Sequence, residues 1–101
     1  MIRVCPLEDL WQGEMRSVTV GNQKLVLVHV DGVVAAFHDR CAHLGVPISE
    51  GKLEGFTLTC RAHEWQYDAR TGHGINPQSA ALERVPLEIR DGHVWVGERH
   101  D

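Results

Sequence analysis

The 101-residue sequence lacks the features that define several large protein classes. It has no apolar run near the roughly 20 residues of a membrane-spanning helix; the longest run covers residues 33–37. Basic side chains are in deficit, 10 against 14 acidic ones, and the formal charge of −4 argues against a nucleic-acid binder. We therefore expect no nucleic-acid partner and no membrane partner, and one monomeric globular domain over residues 1–101.

Cysteine is scarce as well, because the chain has only three: Cys5, Cys41 and Cys60. An odd and small number of thiols does not suit a disulfide scaffold. The first six residues lack the apolar stretch of a secretory signal, so the expected compartment is the cytoplasm. Thiols in a reducing cytosol are more often metal ligands, catalytic groups or buried apolar residues than bridges.

Short strand-like runs alternate with turn signals along most of the chain. Asp31-Gly32 and Asp91-Gly92 each separate two runs rich in β-branched residues, which is the pattern of a type I′ hairpin. No long segment carries an apolar face with helical spacing, and only residues 7–11 suggest a single turn. The strand-like runs cover residues 15–20, 24–30, 33–38, 85–90 and 93–96. Pro86 is expected to place its strand at an edge of a sheet or to start the pairing there. This pattern predicts an all-β fold with an antiparallel β-sandwich base.

Residues 39–82 differ from the base in composition, being richer in Gly, His, Cys and Pro. Only residues 56–59 and 65–67 resemble strands there, so we expect a small subdomain formed mainly by loops. Irregular loops placed on a rigid scaffold commonly carry binding sites.

Two short Cys/His segments stand in this insert. Cys41-Ala42-His43 is followed, after 16 residues, by Cys60-Arg61-Ala62-His63. Two thiolates and two imidazoles suit zinc, copper or an iron–sulfur cluster, and they suit calcium or magnesium poorly. Common zinc modules take two ligands of one type from each short segment, whereas each segment here offers one Cys and one His.

The mixed segments match a binuclear site. In a [2Fe–2S] cluster, two equivalent loops can each give a thiolate to one iron and an imidazole to the other. We accordingly assign Cys41 and Cys60 to the first iron, and His43 and His63 to the second. With one nitrogen on iron, each imidazole is expected to present its other N–H at the surface.

This Cys-x-His…Cys-x2-His pattern resembles that of the Rieske iron–sulfur family. The resemblance implies the Rieske fold, one [2Fe–2S] cluster and three cluster-covering loops at residues 44–47, 63–65 and 74–77. Residues 60–65 and 71–77 are similar to the small Rieske ferredoxins of toluene-type monooxygenases. That similarity implies an electron carrier, without catalysis of its own, between an NADH-dependent flavoprotein reductase and the diiron hydroxylase of an aromatic or alkene monooxygenase.

The chain departs from the Rieske proteins of cytochrome complexes at two places. Those proteins carry an extra cysteine in each ligand loop, where this chain has Val46 and Ala62, so their disulfide cannot form here. They also continue the second loop with Gly-Ser, whose hydroxyl donates to a cluster sulfur, where this chain has Glu64-Trp65. Fewer donors to the sulfurs lower the reduction potential, which favours the ferredoxin type.

Three other functions stay open on the sequence alone. The ferredoxin of a ring-hydroxylating dioxygenase would share the fold and the cluster. A structural zinc module that binds a protein partner would be colourless and redox-inactive. A redox-sensing regulator could use the same cluster.

Overall fold

The computed structural model describes residues 1–42, 45–62 and 64–97, and in these ranges it contains eleven short strands. They are β1 (Ile2–Pro6), β2 (Glu14–Val20), β3 (Gln23–Val30), β4 (Val33–His38), β5 (Lys52–Glu54), β6 (Thr57–Thr59), β7 (Gln66–Asp68), β8 (Gly74–Asn76), β9 (Arg84–Val85), β10 (Leu87–Arg90) and β11 (His93–Val96). Two 3₁₀ turns, Leu7–Asp9 and Ile48–Glu50, complete the regular elements of the described residues.

The strands form three antiparallel sheets. The terminal sheet has the order β1-β11-β10, the central sheet β2-β3-β4-β9, and the site sheet β5-β6-β7-β8. The prediction of an all-β fold with an antiparallel base is therefore confirmed.

The central sheet is buried on both faces, and its strand β3 shows why. Successive side chains of a strand point to opposite faces, so the unbroken apolar run of β3 supplies two cores. Val26 and Val28 pack in a core shared with the site sheet, including Leu58. Leu25 and Leu27 pack in a second core with residues of the terminal sheet. The site sheet thus rests on one face of a rigid base.

The two predicted Asp-Gly turns are confirmed in detail. Asp31 and Gly32 have φ of 51° and 73°, and Asp91 and Gly92 have φ of 53° and 72°. Positive φ at both central residues defines the type I′ turn, whose twist matches that of the flanking strands.

The strand-like run over residues 85–90 does not form one strand, and the pairing of β10 starts directly after Pro86. Val85 pairs with Ala36 in the central sheet, whereas Leu87 pairs with Val96 in the terminal sheet. Pro86 lies between them, and its lack of an N–H group interrupts the ladder at the point where the chain changes sheets. The apolar alternation continues through the break, which is why the sequence pattern hides it.

The insert is also more regular than its sequence suggests. Besides the two predicted strands, which correspond to β6 and β7, it contains β5 and β8 at the edges of the site sheet. Residues 74–76, predicted as part of a loop, form β8. All four strands of this sheet have three residues, but β5 and β8 consist mostly of Lys, Glu, Gly and Asn, which are depleted in strands, whereas β6 has two threonines and β7 a tyrosine.

Among the described residues, no helix has the length and apolar character needed to cross a membrane.

Candidate metal centre

Each of the two predicted cysteine ligands begins a tight loop that closes on itself. Cys41 follows β4; its N–H donates to the carbonyl of Val46 at 2.7 Å, and its carbonyl accepts from the N–H of Gly45 at 2.9 Å. Cys60 directly follows β6, and its N–H donates to the carbonyl of Trp65 at 2.8 Å. Backbone bonds across each loop therefore fix the two cysteines independently of any ligand.

The fold brings the two thiols together. Cys41 and Cys60 are 1% and 0% exposed, and both belong to the same buried core. Burial is the main cause that raises the pKa of Cys60, and the neighbouring Cys41 adds to the rise. Two buried thiols in one core are costly to ionise unless a cation compensates their charge. The pair thus fits a soft, cationic group such as an iron–sulfur cluster.

Tyr67, on β7, completes the buried part of the site. Its Oη lies 3.4 Å from Cys41 Sγ and accepts a hydrogen bond from the Ala42 N–H at 3.2 Å. Burial, followed by contact with Cys41, raises the phenol pKa well above its usual value, so the phenol stays protonated. As a metal ligand Cys41 is a thiolate without a proton, so the phenolic O–H is the donor to its sulfur.

The sequence pattern does not predict this donor. Glu64-Trp65 lacks the hydroxyl expected in the second loop, and the pattern around Tyr67 indicates only a strand. One signal was available, since Tyr67 is the only tyrosine of the chain and follows His63 by four residues. A hydroxyl donor to sulfur is therefore present, although it comes from the strand rather than from the loop.

The predicted ligands His43 and His63 lie outside the described residues. Within residues 1–42, 45–62 and 64–97, no three His, Cys, Asp or Glu side chains are grouped so that they could hold a metal ion. The structure therefore brings together the thiolate half of the predicted ligand set, and the imidazole half stays a prediction.

The third cysteine is remote from this pair. Cys5 lies on β1, in the terminal sheet, and packs against the second core. Burial raises its pKa, with opposing contributions from Arg16 and Asp9. All three cysteines belong to the described residues and none is in a disulfide. Val46 and Ala62, which stand where the Rieske proteins of cytochrome complexes carry their extra cysteines, instead pack against the core that holds Cys41 and Cys60.

The first residue of β8, Gly74, has no space for a side chain because the turn that follows the strand lies against it. The Gly74 N–H donates to the carbonyl of Ala80 at 2.9 Å, and a Cβ on Gly74 would lie 2.2 Å from the Pro77 carbonyl oxygen. Glycine is thus required for the close approach of two backbone segments at this edge of the site sheet.

Comparison with known proteins identifies the family. The family model for the Rieske [2Fe-2S] domain matches residues 1–86. The chain is 40% identical over 97 residues to the ferredoxin component of the alkene monooxygenase system of Xanthobacter autotrophicus (strain ATCC BAA-1158 / Py2), covering 95% of this chain and 80% of the relative. It is 35% identical over 95 residues to the 3-phenylpropionate/cinnamic acid dioxygenase ferredoxin subunit of Photorhabdus laumondii, covering 92% and 90%.

A solved structure agrees with both sequence matches. One chain in the complex of reduced oxygenase and oxidized ferredoxin in carbazole 1,9a-dioxygenase superimposes with a TM-score of 0.84. The two are 30% identical, and the match covers 94% of this chain and 90% of that one. The expected Rieske fold is therefore confirmed.

The buried thiol pair on its two loops, together with these matches, shows that the chain belongs to the Rieske [2Fe-2S] family. It holds a Rieske-type [2Fe–2S] cluster and is a ferredoxin, an electron carrier rather than a catalytic enzyme. This result answers the question that the spacing left open between zinc, copper and an iron–sulfur cluster.

Proposed function

We propose that this ferredoxin carries single electrons from an NADH-dependent flavoprotein reductase to the diiron hydroxylase of an aromatic or alkene monooxygenase. The observation that carries the proposal is the 40% identity to an alkene monooxygenase ferredoxin component, which spans 95% of the chain. The similarity of residues 60–65 and 71–77 to the ferredoxins of toluene-type monooxygenases supports the same acceptor class.

A ring-hydroxylating dioxygenase is the second candidate acceptor. The 35% identical dioxygenase ferredoxin subunit and the carbazole 1,9a-dioxygenase complex favour it. Fold and cluster are common to both systems, so the distinction depends on the surface that meets the oxygenase.

We further propose that Cys41 and Cys60 bind one iron, and His43 and His63 the other. The burial of the two thiols in one core supports the first half of this assignment. When bound, the cluster supplies one-electron redox chemistry at a potential above that of all-thiolate clusters. The chain's own contribution is to exclude water from the sulfur side and to place the Tyr67 O–H against Cys41.

The remaining proposals concern the organisation of the protein. The chain is a monomer in one domain, residues 1–101, with a cluster-binding subdomain over about residues 39–82. The site sheet and both cysteine loops lie inside that range, which supports the boundary. We place the protein in the cytoplasm, where NADH is available and unpaired thiols stay reduced.

Turnover with purified oxygenases tests the choice of acceptor. The ferredoxin is combined with NADH, a flavoprotein reductase, and either a diiron monooxygenase hydroxylase or a dioxygenase oxygenase. We expect product formation with the monooxygenase hydroxylase, and slower turnover at high salt because the ferredoxin has a charge of −4. Product formation with the dioxygenase oxygenase but not with the monooxygenase hydroxylase would overturn the preferred acceptor.

A further inference from the structure

Asp39 is the one charged side chain in the buried interior of the described residues, with 8% of its surface exposed. A buried carboxylate is costly unless hydrogen bonds replace its water. Three donors do so: the Ser49 N–H at 2.8 Å from Oδ1, the Ser49 Oγ at 2.5 Å from Oδ2, and the Ser17 Oγ at 3.3 Å from Oδ2. Both oxygens are thus satisfied, and Ser49 binds both of them.

The two bonds to Ser49 join the segments on either side of the first ligand loop: Asp39 before it and the 3₁₀ turn after it. Asp39 lies two residues before Cys41, and its backbone N–H is fixed to the central sheet by the Lys24 carbonyl at 2.9 Å. Ser49 belongs to the 3₁₀ turn Ile48–Glu50, which Ile48, fully buried, anchors in the core beneath the site. Because Ser49 contacts both carboxylate oxygens, the pair fixes the orientation of the two ends as well as their separation.

The same turn also reaches the second ligand loop. The Arg61 Nε lies 2.7 Å from Glu50 Oε1, and Arg61 directly follows Cys60. This ion pair is exposed and contributes little stability by itself. Its position nevertheless means that the turn contacts both loops from which the cysteines project.

We infer that Asp39, acting through Ser49, is a positioning residue that holds Cys41 in place for the cluster. The inference rests on the proposed ligand role of Cys41. A cluster accepts its ligands within narrow limits of distance and angle, and groups that orient metal ligands typically change metal affinity 10- to 100-fold when removed. The bonds between Asp39 and Ser49 close the loop before the cluster assembles. Cluster binding therefore does not have to supply the entropy cost of ordering the Cys41 sulfur.

Two serine variants that act on the same carboxylate test this inference. Ser49→Ala removes a donor that lies in the 3₁₀ turn after the first ligand loop, whereas Ser17→Ala removes one that lies on β2. Iron release to a chelator under anaerobic conditions, and the EPR spectrum of the dithionite-reduced protein, are recorded for both. We expect Ser49→Ala to release iron about tenfold faster than wild type with a broadened spectrum. Ser17→Ala, which loses the longer bond, stays within about twofold of wild type.

Further variants separate positioning from stability. Val94→Ala shortens a fully buried side chain in the second core and lowers the melting temperature without touching the loop. It is expected to keep the wild-type iron-release rate and spectrum at temperatures well below its melting transition. Asp39→Asn, which keeps the shape and an acceptor for the Ser49 N–H, is expected to fall between wild type and Asp39→Ala.

Equal iron-release rates in the two serine variants, or wild-type release in Ser49→Ala, would overturn the positioning role. Release from Val94→Ala as fast as from Ser49→Ala would also overturn it, since stability alone would then explain the effect. All three outcomes presuppose a wild-type protein that contains iron and sulfide, so none is confused with failure of the proposed function, in which the wild type itself would transfer no electrons.

Discussion

Tyr67 Oη lies 3.4 Å from Cys41 Sγ and links the site sheet to the first ligand loop across 26 positions of sequence. The same oxygen accepts from the Ala42 N–H, so the phenol holds the loop backbone while its O–H faces the sulfur. A hydrogen bond to a thiolate favours the more negative, reduced site. Tyr67 thus combines a structural contact with an effect on potential.

Replacing Tyr67 with Phe should lower the reduction potential. Loss of a hydrogen bond that is about 1.4 kcal/mol stronger in the reduced than in the oxidised state corresponds to about 60 mV for one electron. Anaerobic redox titration followed by visible absorption measures the shift. Trp95→Phe on β11, which belongs to the terminal sheet and not to the site sheet, is the control and should leave the potential unchanged. A Tyr67→Phe potential equal to that of wild type would contradict the assigned hydrogen bond.

The cysteines should differ sharply in their effect on iron content. Cys41→Ala and Cys60→Ala remove buried thiols that face each other, so each variant should be isolated with less than about a tenth of the wild-type iron and sulfide. Cys5→Ala makes the same change on β1 and should retain full iron. Chemical analysis of iron and sulfide checks all three. Full iron in Cys41→Ala or Cys60→Ala would refute the corresponding ligand.

Two glycines with similar backbone angles allow a matched test of packing. Gly72 has a φ of 83°, and a Cβ there would lie 2.7 Å from the Phe37 ring. Gly92 has a φ of 72° and open space around it. Gly72→Ala should therefore cost about 3 kcal/mol, against about 1 kcal/mol for Gly92→Ala. Thermal melting followed by circular dichroism measures the difference, and equal melting temperatures would contradict the contact.

Asp68 gives a prediction about pH. Hydrogen bonds from the Arg70 side chain, which are the largest cause, hold the pKa of Asp68 below its usual value, and the Arg70 N–H adds to the effect. A lowered folded-state pKa gives stability that is fully present above the unfolded pKa and is lost as the pH falls through the folded one. The melting temperature of Asp68→Asn should therefore lie a few degrees below that of wild type, by the same amount throughout pH 5–8.

Asp91→Asn, a change in an exposed turn whose positive φ asparagine also tolerates, is the control for Asp68→Asn. It should leave the melting temperature nearly unchanged. A difference between wild type and Asp68→Asn that varies strongly within pH 5–8 would show that the Asp68 carboxylate titrates there, contrary to its lowered pKa.

Local features of the sequence predicted the base of the fold well. Asp31-Gly32 and Asp91-Gly92 set the hairpins because their backbone preference is a property of the two residues alone. The strands β2, β3 and β4 are long enough to display their pattern. The two cysteine loops were predicted from the Cys-x-His and Cys-x2-His spacings. This was possible because each pattern lies within a segment of only a few residues.

Contacts between distant segments could not be predicted in this way. The approach of Tyr67 to Cys41, and of Asp39 to Ser49, depends on how separate strands and turns pack in three dimensions. The change of sheet at Pro86 was hidden because both sheets require the same apolar alternation. The strands β5 and β8 were missed because Lys, Glu, Gly and Asn, which make up most of them, are more typical of loops than of strands.

The most direct test of the central claim is nitrogen hyperfine spectroscopy on the anaerobically prepared, dithionite-reduced protein labelled with ¹⁵N-histidine. The account predicts iron and sulfide in equal amounts, an EPR signal of low average g, and couplings from two imidazole nitrogens, one of which is lost in His43→Cys and the other in His63→Cys. A reduced cluster without nitrogen coupling, or a colourless protein holding a single divalent ion, would contradict it.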